Sequence, residues 1–220
     1  MNNKYRKFTD KIKDNKQDGI SIIITAAGVG HKKYQGSKSL FSINNEYLIN
    51  KQIQLISKLL PNKEIIVIVG FDAEKVINIL PKGVKIIENE NYENTSIIRS
   101  IGIGLLVAAY NNCFIFPSNI VIGLRTIINF DFSKSSILIF EDNTDNNEFA
   151  GINIQNNRML RFGFGFKYKF PNIVFIGKKY FDVFAKYCIN KKNSKKCLHE
   201  ILNNMLDNDC IFNALLVNKK

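Results

Sequence analysis

The sequence predicts an α/β protein with a mostly parallel central sheet covered by helices on both faces, and further strands in its C-terminal half. Three observations carry that expectation. Short, unbroken runs of β-branched residues, such as "ISIIIT" (20–25) and "EIIVIVG" (64–70), have the texture of strands buried on both faces. Segments of helical apolar spacing separate these runs, and strand–helix–strand alternation calls for right-handed crossovers between parallel strands. Beyond residue 130 the strand-like segments follow one another across polar turns instead.

Residues 1–19 read as a basic lead-in ending at Asp18-Gly19, ahead of a single domain over 20–220. After the first strand, "SLFSINNEYLINKQIQLISKLL" (39–60) opens with a short extended piece and a turn at Asn44-Asn45. Leu48, Ile49, Ile53, Ile56, Leu59 and Leu60 then recur at helical spacing, and Pro61 ends that helix. The second strand (64–70) leads into a short helix over 72–80, with Asp72 at its N-cap and Pro81 and Gly83 stopping it. "VKIIEN" (84–89) is a third strand, 95–110 a helix capped by Asn94 or Thr95, and "CFIFPS" (113–118) a fourth strand cut by Pro117. Strands follow over 135–142, 149–155, 159–170 and 173–177, then helices near 178–189 and 195–206 and a last strand over 210–218. No repeat and no long linker divides the chain.

At 220 residues and 45% apolar composition the chain can bury one substantial core. Its 31 Lys+Arg against 19 Asp+Glu give a formal charge of +12, which favours anionic partners. The excess is mostly lysine and travels with asparagine and isoleucine, the residues that AT-rich codons supply. With no arginine–aromatic cluster beside it, a solvated lysine surface accounts for the charge better than nucleic-acid binding does. Cys113, Cys188, Cys197 and Cys210 form no CxxC pair and show no zinc-like spacing with His31 and His199. Cys113 lies in an apolar run, as a reduced core cysteine does, so a cytoplasmic location is expected. The first 20 residues lack a signal peptide's apolar core, and no stretch approaches the ~20 apolar residues that span a bilayer.

The stretch "SIIITAAGVGHKKYQGSKSL" (21–40) runs from strand into small residues and then into cations. Ligands of open α/β sheets bind at such carboxyl ends, where bare backbone approaches an anion and lysines neutralise it. It is not a phosphate loop of the GxxxxGK[ST] kind, because Gly30 and Gly36 are one residue too far apart and Ser37 precedes Lys38. Nor is it GxGxxG, since Lys33 holds the third position.

What remains, "IIITAAGVG…SKSL", resembles the opening signature LAAGxGxR…PKxL of the nucleotidyltransferases that activate sugars and phosphocholine. "EYLINKQIQLISKL", "EIIVIVGFDAEKVINIL" and "VKIIENENYENTSIIRSIGIGL" resemble later family segments in the same order, over residues 20–123. The resemblance implies a three-layer α/β/α sandwich of the nucleotide-diphospho-sugar transferase, GT-A-like kind. It further implies transfer of a nucleoside monophosphate from an NTP to a phosphorylated sugar or alcohol, with release of pyrophosphate and with Mg²⁺ clamping the phosphates. By position, Ala26, Ala27, Gly28 and Gly30 would touch base and triphosphate. Lys38 would neutralise the transition state beside Lys32, and Asn94, Thr95 and Ser100 would lie by base or acceptor.

Two positions depart from the signature. Lys32 stands where the family has arginine, a cation without the bidentate fork. Asn119 stands where the metal-holding aspartate belongs, one neutral carbonyl in place of a carboxylate. Asp131, Glu141, Asp142 and Asp145, on neighbouring loops, are the candidate substitutes. A catalytically inactive relative with a binding or structural role is therefore the second reading, and a nucleic-acid module the third. Three further features read as structural. Arg99 belongs to solvent, and His199-Glu200 lacks the second histidine of HExxH, since position 203 is Asn203. The aromatic run "RFGFGFKYKF" (161–170) is a strand with one inward face rather than a base-stacking platform.

Overall fold

The computed structural model describes residues 19–29, 36–60, 62–142 and 149–217. The lead-in up to residue 18, Gly30, His31, Lys32, Lys33, Pro61 and Asp145 lie outside them. Four parallel strands, β1 (Ile20–Ala26), β4 (Lys63–Val69), β5 (Lys85–Glu88) and β6 (Asn112–Pro117), make the first half of the sheet. Between them come α1 (Leu48–Leu59), α2 (Ala73–Ile79) and α3 (Ile97–Val107). A small hairpin, β2 (Ser42–Ile43) and β3 (Glu46–Tyr47), precedes α1 and turns on Asn44 and Asn45 at φ 53° and 61°. Asparagine tolerates that left-handed backbone, which is why the turn was readable.

The rest of the chain adds α4 (Leu124–Ile128), β7 (Ser136–Glu141), β8 (Gly151–Gln155), β9 (Arg158–Gly163) and β10 (Tyr168–Lys169). These are followed by β11 (Val174–Ile176), α5 (Lys178–Ile189), α6 (Leu198–Leu206) and β12 (Asn213–Val217). The main sheet runs β10-β8-β9-β12-β7-β11-β6-β1-β4-β5. β11 is antiparallel to both β6 and β7, while β12 is parallel to β7. β10 pairs with both β8 and β7, so this end of the sheet curls back on itself.

Side chains of successive strand residues point to opposite faces, and β1 shows the result. Ile23 belongs to a core beneath α3, α5 and α6, whereas Ile22 and Ile24 belong to one beneath α1, α2 and α4. The architecture is thus a three-layer α/β/α sandwich. Helices α3 and α5 meet backbone to backbone, and a Cβ on Gly102 would come within 2.5 Å of the Cys188 carbonyl oxygen. Cys113, Cys188 and Cys210 are buried free thiols, and burial pushes each of them up from its ordinary value.

Three local expectations need correction. The helix expected over 95–110 begins at Ile97 and is capped by Ser96, whose Oγ accepts from the Ile98 N–H at 3.2 Å, and not by Asn94 or Thr95. Asp72 sits at the N-cap of α2, but in left-handed backbone (φ 55°) and with no side-chain hydrogen bond to the helix's free N–H groups. The aromatic segment 159–170 is two strands, because the chain leaves the sheet between Gly163 and Tyr168. Phe162 and Phe170 are buried there, while Phe164 is 69% exposed.

Candidate functional site

A cavity of about 550 Å³ opens at the carboxyl ends of β1, β5 and β6. Its floor is the tip of β1, from Thr25 to Val29. The carbonyls of Thr25, Ala26 and Ala27 are held. Ser118 N–H donates to Thr25 O (3.0 Å), Ser39 Oγ to Ala26 O (3.3 Å) and Phe71 N–H to Ala27 O (3.1 Å). An added Cβ on Gly28 would meet nothing within 4 Å, so this residue faces open cavity and not a packed turn.

The second wall is the 3₁₀ turn Lys38–Leu40, which brings Lys38 and Ser39 to the cavity. Asp72 anchors it. Its Oδ2 accepts from the Ser37 N–H at 3.0 Å, and its Oδ1 pairs with Lys75 at 2.8 Å. The bond from Lys75, with that from Ser37, holds the Asp72 carboxyl below its ordinary value. The left-handed turn at Asp72 thus serves the Lys38 loop, which is why the expected helix cap is missing.

The third wall follows β5. Asn89, only 2% exposed, donates from Nδ2 to Thr95 Oγ1 (3.1 Å) and Ser100 Oγ (3.2 Å), and all three line the cavity. Buried amides are kept where every bond is satisfied, so Asn89 fixes these two hydroxyls. Ser96 joins them, and its Oγ also bonds the Lys196 carbonyl across from α6. The fourth wall is the loop after β6, Pro117 to Ile120, facing Phe149, Pro171 and Asn172 from the antiparallel half. An apolar cavity of about 270 Å³ adjoins it and shares Ile120, Phe149 and Pro171.

Of the residues that sequence picked out, Ala26, Ala27, Gly28, Lys38, Thr95, Ser100 and Asn119 line this one cavity. Asn94 is not part of the lining; its Nδ2 donates to Asn91 Oδ1 at 3.0 Å. Gly30 and Lys32 lie outside the described residues. Sequence reasoning missed Ser39 and Ser118, whose bond joins residues 79 positions apart, and Asn89, whose amide bonds Thr95 and Ser100. For Asn89 a signal existed, because asparagine closing a buried strand needs partners for its amide.

The described lining does not suit a resident Mg²⁺. Such an ion takes carboxylate ligands alongside phosphate oxygens, and the only carboxylate among the described lining residues is Glu93. Glu93 follows β5 while Asn119 follows β6, and β4 and β1 lie between those strands. Three strand spacings amount to roughly 14 Å, so Glu93 and Asn119 stand on separate walls of the cavity. Nor do the candidate replacements among the described residues line the cavity. Asp131 Oδ1 is bonded by Ser133 Oγ (2.6 Å), Glu141 pairs with Lys167 (2.8 Å), and Asp142 is not in the lining either.

No family model matches the sequence, and no curated protein matches it significantly. Solved structures do resemble its fold. The CTP:phosphocholine cytidylyltransferase of Streptococcus pneumoniae superposes with a TM-score of 0.77 at 14% identity, covering 91% of either chain. The inositol-1-phosphate CTP transferase of T. maritima gives 0.70 at 15%, covering 90% of this chain and 86% of that one. A UDP-glucose pyrophosphorylase from Acinetobacter baumannii gives 0.69 at 10%, with the same two coverages. The chain therefore has the fold of the nucleotidyltransferases. Among its described residues no helix is long and apolar enough to cross a membrane.

Proposed function

We propose that this chain is a nucleotidyltransferase that moves a nucleoside monophosphate from an NTP to a phosphorylated sugar or alcohol and releases pyrophosphate. One observation carries the reading. A bare strand tip, a lysine on an anchored turn and a set of fixed hydroxyls meet around one cavity in a nucleotidyltransferase fold. In this scheme an acceptor phosphate oxygen attacks the α-phosphorus in line, a new P–O bond forms, and the bond to the β-phosphate breaks. No protein nucleophile is needed; positioning and charge neutralisation supply the rate. Lys38 would meet the charge on the leaving phosphates. Ala26, Ala27 and Gly28 would admit the triphosphate against the backbone, and Thr95 and Ser100 would hold base or acceptor.

The second reading is nucleotide binding without transfer. Asn119 and the isolation of Glu93 favour it, since both deny the site the charge that draws a hard dication. One experiment separates the two. Purified protein is incubated with CTP, UTP or GTP and a panel of phosphorylated acceptors, in Mg²⁺ and in EDTA, and pyrophosphate is measured. Release with one nucleotide–acceptor pair supports transfer. Silence across the panel, with a nucleotide-induced rise in melting temperature, supports binding alone.

A further inference from the structure

Away from the cavity, three residues that the sequence leaves unconnected come together at the start of α6. Cys197 is the N-cap residue, and Glu200 turns back so that its Oε2 accepts from the Cys197 N–H at 2.6 Å. That bond puts the Cys197 Sγ and the Glu200 carboxylate on the same side of the first turn. His199 lies between them in sequence, its ring 6.1 Å from that of Phe162 and 6.4 Å from that of Phe164. One sulfur, one imidazole nitrogen and one carboxylate oxygen all lie within 4.8 Å of one another.

We propose that Cys197, His199 and Glu200 form a binding site for a divalent cation of the zinc class. The donor set selects the ion. Thiolate and imidazole suit Zn²⁺ and its borderline neighbours, whereas Mg²⁺ and Ca²⁺ take oxygen alone. Ligand contacts of 2.0–2.3 Å put tetrahedral donors roughly 3.5 Å apart. The three donors, within 4.8 Å of one another, need draw only roughly 1 Å closer to share an ion. Binding exchanges the thiol proton for the metal, so one proton leaves for each ion taken up. Thiolate and carboxylate then neutralise the dication, so the loaded site itself carries no net charge beside Lys195 and Lys196. Three protein ligands leave a fourth position open to water or to an incoming donor.

All three ligands fall within a single turn, so the ion closes no long loop and is not a structural staple. Its position is notable for another reason. Lys196, next to Cys197, offers the carbonyl that Ser96 bonds, and Ser96 lines the candidate cavity.

Co²⁺ serves as the spectroscopic probe for this site. Reduced full-length protein titrated with Co²⁺ should bind one ion with a thiolate-to-cobalt charge-transfer band, and Zn²⁺ should displace it. The band should vanish in Cys197→Ser. Affinity should fall more than roughly tenfold in His199→Gln and in Glu200→Gln, since even an outer partner of a metal ligand costs that much. Glu200→Gln keeps an oxygen to accept from the Cys197 N–H, so it separates ligand loss from loss of the helix cap. Absence of the band in folded protein overturns the proposal. So does a band that survives Cys197→Ser, or unchanged affinity in the other two variants.

Discussion

Ser39 Oγ and Ser118 Oγ lie 2.7 Å apart in a buried hydrogen bond between residues 79 positions distant in sequence. The bond joins the turn carrying Lys38 to the loop carrying Asn119, and both hydroxyls sit over the tip of β1. Two sides of the cavity therefore depend on one contact. Ser39→Ala and Ser118→Ala should each cost about 1 kcal/mol in urea unfolding. The double variant should cost less than the sum of the two, by about 0.5 kcal/mol or more. Strict additivity would mean that the two hydroxyls act independently.

Lys38 is the single cation among the described lining residues, and no ion pair with another described residue fixes its ammonium. Its conformation comes from the Asp72–Ser37 bond one residue earlier. Lys38→Met should leave stability within about 0.5 kcal/mol of the parent, as a substitution outside the packed core does. On the proposed reading it should also cut pyrophosphate formation by roughly 10²–10³-fold. Loss of stability in step with activity would return Lys38 to a packing role.

Asn119 occupies the loop after β6 with a neutral side chain where a carboxylate would attract a dication. NTP should therefore raise the melting temperature of the parent equally in EDTA and in Mg²⁺. Asn119→Asp should make that rise larger with Mg²⁺ than without it, because the new carboxylate adds metal affinity that the bound triphosphate shares. A parent response abolished by EDTA would put Mg²⁺ back in the site.

Most of the α/β frame was legible because its signals are local. β1, β4 and β6 are unbroken apolar runs, Asn44-Asn45 favours left-handed backbone, and Pro81 and Gly83 stop α2. What escaped depends on distant partners. Ser96 takes the cap of α3 from Thr95 because its N–H meets the Ser194 carbonyl at 2.8 Å, and Thr95 is drawn to Asn91 and Asn89. Gln52 lies on the buried face of α1, 3% exposed and with no hydrogen-bond partner among the described residues, a position where apolar spacing anticipates an aliphatic residue. The site followed the same division. The strand tip and Lys38 could be read from one short stretch, while the Ser39–Ser118 pair became visible only once residues 79 positions apart were side by side.

Glu64 meets three partners from three different parts of the chain. Its Oε1 accepts from Ser21 Oγ (2.5 Å) and from the Ala109 N–H, and its Oε2 pairs with Lys85 at 2.6 Å. It thus ties β4 to β1, to β5 and to the end of α3. Burial alone would raise its carboxyl, but the bonds from Lys85, Ser21 and Ala109 outweigh that and hold it below the ordinary value. A depressed carboxyl binds its proton less readily folded than unfolded, so its contribution to stability is complete above the ordinary carboxylate range and is lost as pH falls through the folded value. Glu64→Gln should therefore cost about 1.5–3 kcal/mol at neutral pH, the worth of bonds to a charged group. The gap between parent and variant should narrow from about pH 5 downward, since unfolded glutamate titrates near 4.3. Chemical unfolding of both proteins across that range measures the gap directly, and subtracting one curve from the other removes the other carboxylates. A gap that stays constant with pH would show that Glu64 contributes shape and not charge.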